Sequence, residues 1–271
     1  MPSATCPAPS GSARVAAQKA VCGLLDLLFP DYCRVCEQPL HEVSRIPVCS
    51  RCLKTPQLFQ AEFYCVACRT PFVNRAPLDE TGRCALCRLG LTGFDAVYSF
   101  GAYDGTLRKL IHIFKFDGVQ TLQRPLGALL AQVLPRELSF DAIVPMPLHW
   151  RRRWERGFNQ SELLAREIAR RWNTPVRALV RRKKATAAQA GLTSAQRRKN
   201  VQAAFEVKGR MRLDGLRLLL IDDVLTTGAT AGACARALKR SGAAHVTLLA
   251  LARRDRRAPI EFFTATAGSR S

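Results

Sequence analysis

Residues 216–230 read LRLLLIDDVLTTGAT, and this stretch decides the fold of the chain. The apolar run Leu216–Ile221 has the length and composition of a strand that is buried on both faces. Two adjacent acids, Asp222 and Asp223, end the run. Small hydroxyl residues and a glycine follow, and the alanine-rich segment Ala229–Arg240 is predicted to be a helix. The stretch therefore predicts a strand, a polar turn and a helix in direct succession.

The polar turn is suited to holding a phosphate group. Backbone N–H groups at a helix N-terminus point towards an anion, and the helix dipole favours negative charge there. The adjacent carboxylates can accept hydrogen bonds from the hydroxyls of a sugar phosphate, and Mg²⁺ is a second ligand for them. A structural turn followed by a capped helix is the alternative interpretation. The sequence lacks the glycine- and lysine-containing loop of P-loop ATPases, which disfavours that class.

Sequence patterns on both sides of this stretch predict alternating strands and helices. The segments with strand character are Phe94–Phe100, Asp141–Val144, Val176–Val180 and Val246–Leu251, and those with helical character are Tyr103–Phe116, Leu122–Leu134 and Glu162–Trp172. Such alternation is typical of a parallel sheet whose ligand site lies at the carboxyl ends of the strands.

Eight of the 11 cysteines are arranged as four C-x-x-C pairs. The pairs are Cys33/Cys36, Cys49/Cys52, Cys65/Cys68 and Cys84/Cys87. Two such pairs can enclose one Zn²⁺ in a tetrahedron of thiolates. A disulfide framework is disfavoured because the N-terminus does not have the pattern of a secretion signal. A redox role is possible for one pair, but the near-even spacing favours zinc ribbons.

We expect two structural zinc ions, since four thiolates around an ion leave no open position for chemistry. The expected ligand sets are Cys33, Cys36, Cys49 and Cys52 for one ion and Cys65, Cys68, Cys84 and Cys87 for the other. A crossed pairing of the same cysteines fits the spacing as well.

At 271 residues the chain is long enough for one α/β domain and a smaller module. The predicted organisation is a flexible leader at 1–20, a double zinc ribbon at 21–90, an α/β domain at 91–258 and a flexible tail at 259–271. No apolar stretch has the length of a membrane helix, so membrane insertion is not expected and the cytoplasm is the default location.

Basic residues are concentrated in the middle of the chain. The formal net charge is +21, and the pI near 10.3 favours a polyanionic partner. The candidate ligands for pyrophosphate or DNA are Arg151, Arg152, Arg153 and Arg156 in one predicted loop, and Lys183 and Lys184 in a second, mobile loop that starts at Arg181. Trp150 and Trp154 are interleaved with the first arginines, as base stacking would require. A solvated basic surface is the alternative.

Several motifs together resemble a known family. They are Tyr103-Asp104-Gly105 with Leu107-Arg108, Lys115, the segment 145–160 containing PMPLH and RGFNQ, Thr186–Gln189, Arg197-Arg198, Asn200-Val201, Ala204-Phe205 and the DDVLTTGAT signature. The signature resembles the phosphoribosyl pyrophosphate loop of type I phosphoribosyltransferases, and the whole set resembles the ComF family of competence proteins. Lys184 stands where that family leads us to expect arginine.

The resemblance implies an α/β fold, namely a parallel-sheet type I phosphoribosyltransferase fold preceded by a small zinc-ribbon module, with 91–258 as the phosphoribosyltransferase-like domain. It implies that the acids contact ribose hydroxyls and act in catalysis, and that the threonine-rich loop wraps the 5′-phosphate. The implied phosphoribosyl pyrophosphate ligands are Asp222, Asp223, Val224, Leu225, Thr226, Thr227, Gly228, Ala229 and Thr230. Mg²⁺ is the implied cofactor.

The implied role is in DNA uptake and natural transformation, on incoming single-stranded DNA. Three interpretations remain open at this point. The protein can be a phosphoribosyltransferase with an unknown acceptor. It can be a single-stranded DNA-binding accessory factor for which phosphoribosyl pyrophosphate is only a regulatory ligand. It can also be an adaptor whose zinc ribbons dock a competence helicase or a recombination protein.

Overall fold

The structure is a computed structural model that describes residues 32–40, 44–72, 74–89, 93–148, 150–182, 204–209 and 211–254. The chain divides into two compact units, Met1–Pro56 and Gln57–Ser271. The first unit contains the first four cysteines of the C-x-x-C pairs, and the second contains the other four together with the sheet. This division falls inside the segment 21–90, and the domain boundaries given above stay a prediction. The predicted leader 1–20 and tail 259–271 lie outside the described residues.

Short elements surround the cysteines in both units. In the first unit the helix α1 spans Ser50–Lys54, and the side chain of its N-cap residue Cys49 accepts a hydrogen bond from the backbone N–H of Cys52. In the second unit β1 (Phe63–Tyr64) and β2 (Pro71–Phe72) pair antiparallel, and the helix α2 spans Ala85–Arg88. This hairpin encloses the C-x-x-C pair Cys65/Cys68.

A four-stranded parallel sheet forms the centre of the second unit. Its strands are β3 (Ala96–Ala102), β4 (Ala142–Pro145), β7 (Arg217–Leu225) and β8 (His245–Arg253), in the order β3-β8-β7-β4. An isolated parallel bridge between Val176 and Ile143 continues the sheet beyond β4. The predicted fold class, a parallel α/β sheet with cysteine clusters before it, is confirmed.

Helices cover the sheet. They are α3 (Gly105–Phe116), a 3₁₀ turn (Gln120–Leu122), α4 (Gln123–Ala131), α5 (Trp150–Arg156), α6 (Gln160–Trp172) and α7 (Ala229–Arg240). The helices α4 and α6 pack on each other and on the sheet, and α7 packs on β7 and β8. None of the helices in the described residues combines the length and apolar character that crossing a membrane requires.

Three local predictions are corrected by the structure. Arg151–Arg156, predicted as a loop, belongs to the helix α5 because its residues are good helix formers and the first break is Gly157, at φ 73°. Arg181 and Arg182 do not start a mobile loop, because they belong to β5 (Val180–Arg182) and pair with β6 (Phe205–Val207). The signature strand is also longer than predicted, since sheet pairing to β8 continues through both acids.

Candidate functional site

The candidate site lies where β4 and β7 end side by side at the carboxyl edge of the sheet. Pro145 is in register with Ile221, and the backbone N–H of Met146 donates to the Ile221 carbonyl over 2.9 Å. The chain after β4 therefore leaves the sheet beside Asp222 and Asp223. It continues into α5, which brings the basic residues of that helix towards the acids, as expected for a ligand site in a parallel sheet.

The turn between β7 and α7 has the geometry of an anion site. Gly228 is the N-cap of α7 and adopts φ 77°, a left-handed conformation that favours glycine. It supplies no side-chain cap, so the helix N-terminus keeps N–H groups available to a ligand. The Ala229 N–H is an exception, since it donates to the Thr227 hydroxyl over 3.3 Å. The side chains of Thr226, Thr227 and Thr230 are exposed at this edge.

The acids are more enclosed than an exposed strand end would make them. Asp223 is 8% exposed, and its Oδ1 atom lies 2.8 Å from the Nζ atom of Lys115 at the end of α3. Burial, and next the charge of Asp223, raise the pKa of Asp222 to about 7. The charge of Lys115 and hydrogen bonds from the Asp223 N–H and the Ser161 hydroxyl oppose that rise. Asp223 is therefore enclosed against Lys115 although it lies near the end of its strand.

The segment RGFNQS at 156–161 connects the elements of the site. The Asn159 amide donates to the Met146 carbonyl over 3.0 Å, and its Oδ1 atom accepts the Ser161 N–H over 3.1 Å. The Gln160 amide donates to the Lys115 carbonyl over 3.4 Å and accepts from Arg156 over 3.2 Å. These bonds fix the exit of β4 and the end of α3 relative to α6.

An open cleft of about 560 Å³ adjoins the acids. It is lined by Lys115, Phe116, Gly118, Arg152, Glu155 and Arg156. The Phe116 ring is 59% exposed, and the Arg156 guanidinium lies 4.8 Å from its centroid. Lys115 belongs to the cleft and is also paired with Asp223, so the cleft and the acids are continuous.

The structure describes the side chains of only some of the predicted basic ligands. Arg152 and Arg153 are exposed on α5, Arg156 is half-buried, and Trp154 is 85% exposed beside them. The backbone of Arg151 lies in α5. Lys183 and Lys184 lie outside the described residues.

The cysteines form two separate tetrathiol clusters, and all ligand atoms within each cluster lie within 4.8 Å of one another. The first cluster is Cys33, Cys36, Cys49 and Cys52, and the second cluster is Cys65, Cys68, Cys84 and Cys87. The structure groups the cysteines in sequential order, as the first of the two expected arrangements has them. Three Sγ–Sγ distances are 3.8, 3.6 and 3.7 Å. A tetrahedral ion with Zn–S bonds of about 2.3 Å requires about 3.8 Å, so the thiols fit zinc.

Backbone N–H groups favour the thiolate form of one cysteine in each cluster. The N–H of Cys49 lies 3.3 Å from the Cys33 Sγ, and that of Cys84 lies 3.3 Å from the Cys65 Sγ. Burial raises the pKa of both thiols, but these and neighbouring N–H groups outweigh it. The pKa of Cys33 falls to about 6 and that of Cys65 to about 7. A metal ion needs thiolates, and the backbone favours that form at these two cysteines, whereas burial raises the pKa of Cys52, Cys68 and Cys87.

Two curated proteins are similar to nearly the whole chain. The DNA utilization protein YhgH of Salmonella typhimurium is 31% identical over 241 residues, which cover 84% of this chain and 99% of that protein. The Competence protein F of Haemophilus influenzae is 31% identical over 229 residues, which cover 82% of this chain and 96% of that protein. The chain belongs to the ComF family. No family model matches it.

Solved structures similar to this ComF-family chain include the glutamine phosphoribosylpyrophosphate amidotransferase from B. subtilis complexed with ADP and GMP. That similarity has a TM-score of 0.35 at 19% identity, and it covers 48% of this chain and 26% of that chain. Because this TM-score is low, the fold is assigned from the parallel sheet of this chain and not from the similarity to that structure.

Sequence reasoning missed four residues of the site in this ComF-family protein. Lys115 and Ser161 bond to the acids. Asn159 and Gln160 bond to the backbone of Met146 and Lys115 beside them. Three of them lie in motifs that carried the family resemblance, but no pattern in the sequence assigned them a role. The signal available was an isolated polar residue, Lys115, at the end of a helix whose neighbouring positions are apolar.

Proposed function

We propose that this ComF-family protein binds phosphoribosyl pyrophosphate with Mg²⁺ at the carboxyl edge of the sheet. The observation that carries the proposal is the strand–turn–helix at 217–240, in which the half-buried Asp222 and the buried Asp223 precede a glycine-capped helix N-terminus. Asp222 and Asp223 accept hydrogen bonds from the ribose hydroxyls. The turn Thr226–Thr230 donates backbone and hydroxyl hydrogen bonds to the 5′-phosphate.

The cleft beside the acids suits the pyrophosphate group. Arg152 and Arg156 line it, and guanidinium groups bind phosphate oxygens through paired donors. Oxygen donors from adjacent carboxylates match the preference of Mg²⁺, which when bound neutralises charge on the pyrophosphate. Arg151, Arg153, Lys183 and Lys184 belong to the same proposed basic set.

A transferase reaction at this site would break the bond between the sugar C1 and the pyrophosphate oxygen, which leaves with the electron pair. The acceptor atom then forms the new bond to C1. Asp222 and Asp223 orient the ribose and stabilise its developing positive charge, and the arginines stabilise the leaving group. The acceptor is not specified by these residues.

The second ligand proposed is single-stranded DNA. Relatives carry the names DNA utilization protein and competence protein, so we infer that this protein acts in DNA uptake and natural transformation. The net charge of +21 and the exposed Trp154 beside Arg152 and Arg153 support a nucleic-acid surface. Each cysteine cluster is proposed to hold one structural Zn²⁺. We also propose that the zinc ribbons dock a competence helicase or a recombination protein.

A measurement of turnover distinguishes a phosphoribosyltransferase from an accessory factor that only binds phosphoribosyl pyrophosphate. The full-length protein with zinc and Mg²⁺ is mixed with phosphoribosyl pyrophosphate, and pyrophosphate release is measured alone, with nucleobases, and with single-stranded DNA. Release that depends on one acceptor, and that Asp222→Asn abolishes, supports the transferase. Binding without release from any mixture supports a regulatory ligand. Absence of binding contradicts the proposed function.

A further inference from the structure

A buried arginine connects the second cluster to the sheet. Arg253, the last residue of β8, is 4% exposed. Its guanidinium donates to the Cys68 carbonyl over 2.6 Å and to the Thr70 hydroxyl over 3.2 Å. Thr70 in turn lies 3.0 Å from the Cys68 Sγ atom. Arg253 therefore holds the turn that carries one of the second cluster's thiols.

The backbone directly after Arg253 is bonded to the end of the signature strand. Arg253 is in register with Leu225, and the next residue, Arg254, donates its N–H to the Leu225 carbonyl over 2.9 Å. Leu225 immediately precedes Thr226, the first residue of the proposed phosphate turn. On its other side, the Arg253 carbonyl accepts the Tyr103 N–H over 2.7 Å. The backbone of Arg253 and Arg254 thus holds the ends of the strands on both sides.

Loss of metal from the second cluster would disturb this link. Two backbone hydrogen bonds close the turn from Cys65 to Thr70. The Cys65 N–H donates to the Thr70 carbonyl over 2.9 Å, and the Arg69 N–H donates to the Cys65 carbonyl over 2.8 Å. Without an ion, four buried thiols lose their common partner and the turn loosens. The guanidinium of Arg253 then loses well-placed acceptors, and a buried cation is strongly unfavourable without them. Its movement would shift the end of β8 and with it Leu225.

We propose that Arg253 is a positioning residue that couples metal in the second cluster to ligand binding at the phosphate turn. The proposal uses the phosphoribosyl pyrophosphate site of the proposed function as its readout. The two states are Arg253 inside, bonded to Cys68 and Thr70, and Arg253 displaced, with Leu225 and the turn loosened. Metal in the second cluster and ligand at the turn both favour the first state.

Coupling of this kind is reciprocal. Zinc release from the full-length protein to a chromogenic chelator should show contributions from both clusters. Phosphoribosyl pyrophosphate should slow release from the second cluster and leave release from the first unchanged. Cys36→Ser, which disables the first cluster only, assigns the slowed phase. Equal release rates with and without the ligand, in a protein that binds it, would overturn the proposal.

Substitutions of Arg253 and Thr70 provide the second test. Arg253→Met should weaken phosphoribosyl pyrophosphate binding about tenfold and abolish its effect on zinc release, while Arg253→Lys should restore part of both. Thr70→Val is a milder change that removes one acceptor and should act in the same direction. Arg217→Met, an exposed arginine at the amino end of β7, is the matched control. Wild-type affinity and zinc release in Arg253→Met and Thr70→Val would contradict the coupling.

Hydrogen exchange separates this proposal from the proposed function. Without any ligand, stripping zinc should speed amide exchange at 224–230 in the wild type. A protein with the first cluster disabled should respond in the same way. If phosphoribosyl pyrophosphate does not bind, the proposed function fails, and this exchange measurement still decides the coupling. Unchanged exchange at 224–230 after zinc is stripped would overturn it.

Discussion

Lys115 and Asp223 are opposite charges enclosed together, with side chains only 14% and 12% exposed. Removing one partner leaves the other buried without its counter-charge. We therefore expect Lys115→Met to lower the free energy of unfolding by about 3 kcal/mol in urea denaturation. Lys208→Met, at an exposed position directly after β6, should change it by less than about 0.5 kcal/mol. Similar values for both variants would mean that the pair contributes nothing.

Asp222 makes the stability of the site depend on pH. Its pKa is raised from 3.8 to about 7, first by burial and then by the charge of Asp223. The protonated acid stabilises the fold fully below its unfolded pKa, and that stabilisation is lost as pH rises through about 7. Asp222→Asn cannot ionise, so its stability relative to wild type should increase between about pH 4 and pH 7, the unfolded and folded pKa values of Asp222. Urea denaturation at several pH values measures this, and a constant difference would refute the pKa assignment.

Single residues also show where sequence reasoning reached its limit. Asp222 and Asp223 were identified because acids that end a long apolar run are recognisable locally. Their enclosure could not be predicted, since it depends on Lys115, which lies more than a hundred positions earlier in the chain. Pairing across that distance is set by the path of α3 over the sheet and leaves no local pattern.

The helix α5 presents a charged and aromatic face that suits single-stranded DNA. Each arginine–phosphate interaction releases counterions, so the Arg152→Ala, Arg153→Ala variant should show a shallower salt dependence, by roughly 0.7 in slope for each interaction removed. Trp154→Ala should weaken binding by about 1–3 kcal/mol with little change in slope, because stacking involves no counterion. Fluorescence titrations over a range of salt concentrations measure both. Arg217→Ala is the control, and equal affinity for single and double strands in every variant would show that α5 is only a solvated surface.

At the level of elements, β7 and α7 were predictable and α5 was not. A continuous apolar run followed by glycine and alanine identifies a buried strand and its helix from local sequence. Residues 150–156 have no apolar periodicity, so their arginines indicated a loop although their intrinsic helix propensity is good. The pair β5 and β6 was hidden for another reason, since its strands are short and separated by more than 20 residues.

For the whole molecule, the second cluster belongs to the same compact unit as the sheet, and the first cluster does not. The thiols of the second cluster share a buried core with residues of β7, β8 and α7. Cys87→Ser should therefore remove about one zinc and lower the unfolding temperature of the sheet unit. Cys36→Ser should remove the same amount of zinc without that loss. Metal analysis with thermal denaturation tests this, and equal thermal shifts would contradict it.

Binding of phosphoribosyl pyrophosphate by the acids and the turn after β7 is tested most directly by a calorimetric titration in Mg²⁺. The variant carrying Asp222→Asn and Asp223→Asn is compared with wild type and with Asp214→Asn, an exposed acid before the amino end of the same strand. Circular dichroism confirms that each protein is folded. We predict unchanged affinity for Asp214→Asn and a decrease of more than about tenfold for the double variant, since it removes hydrogen bonds to charged groups. Wild-type affinity in the double variant would contradict the proposed site.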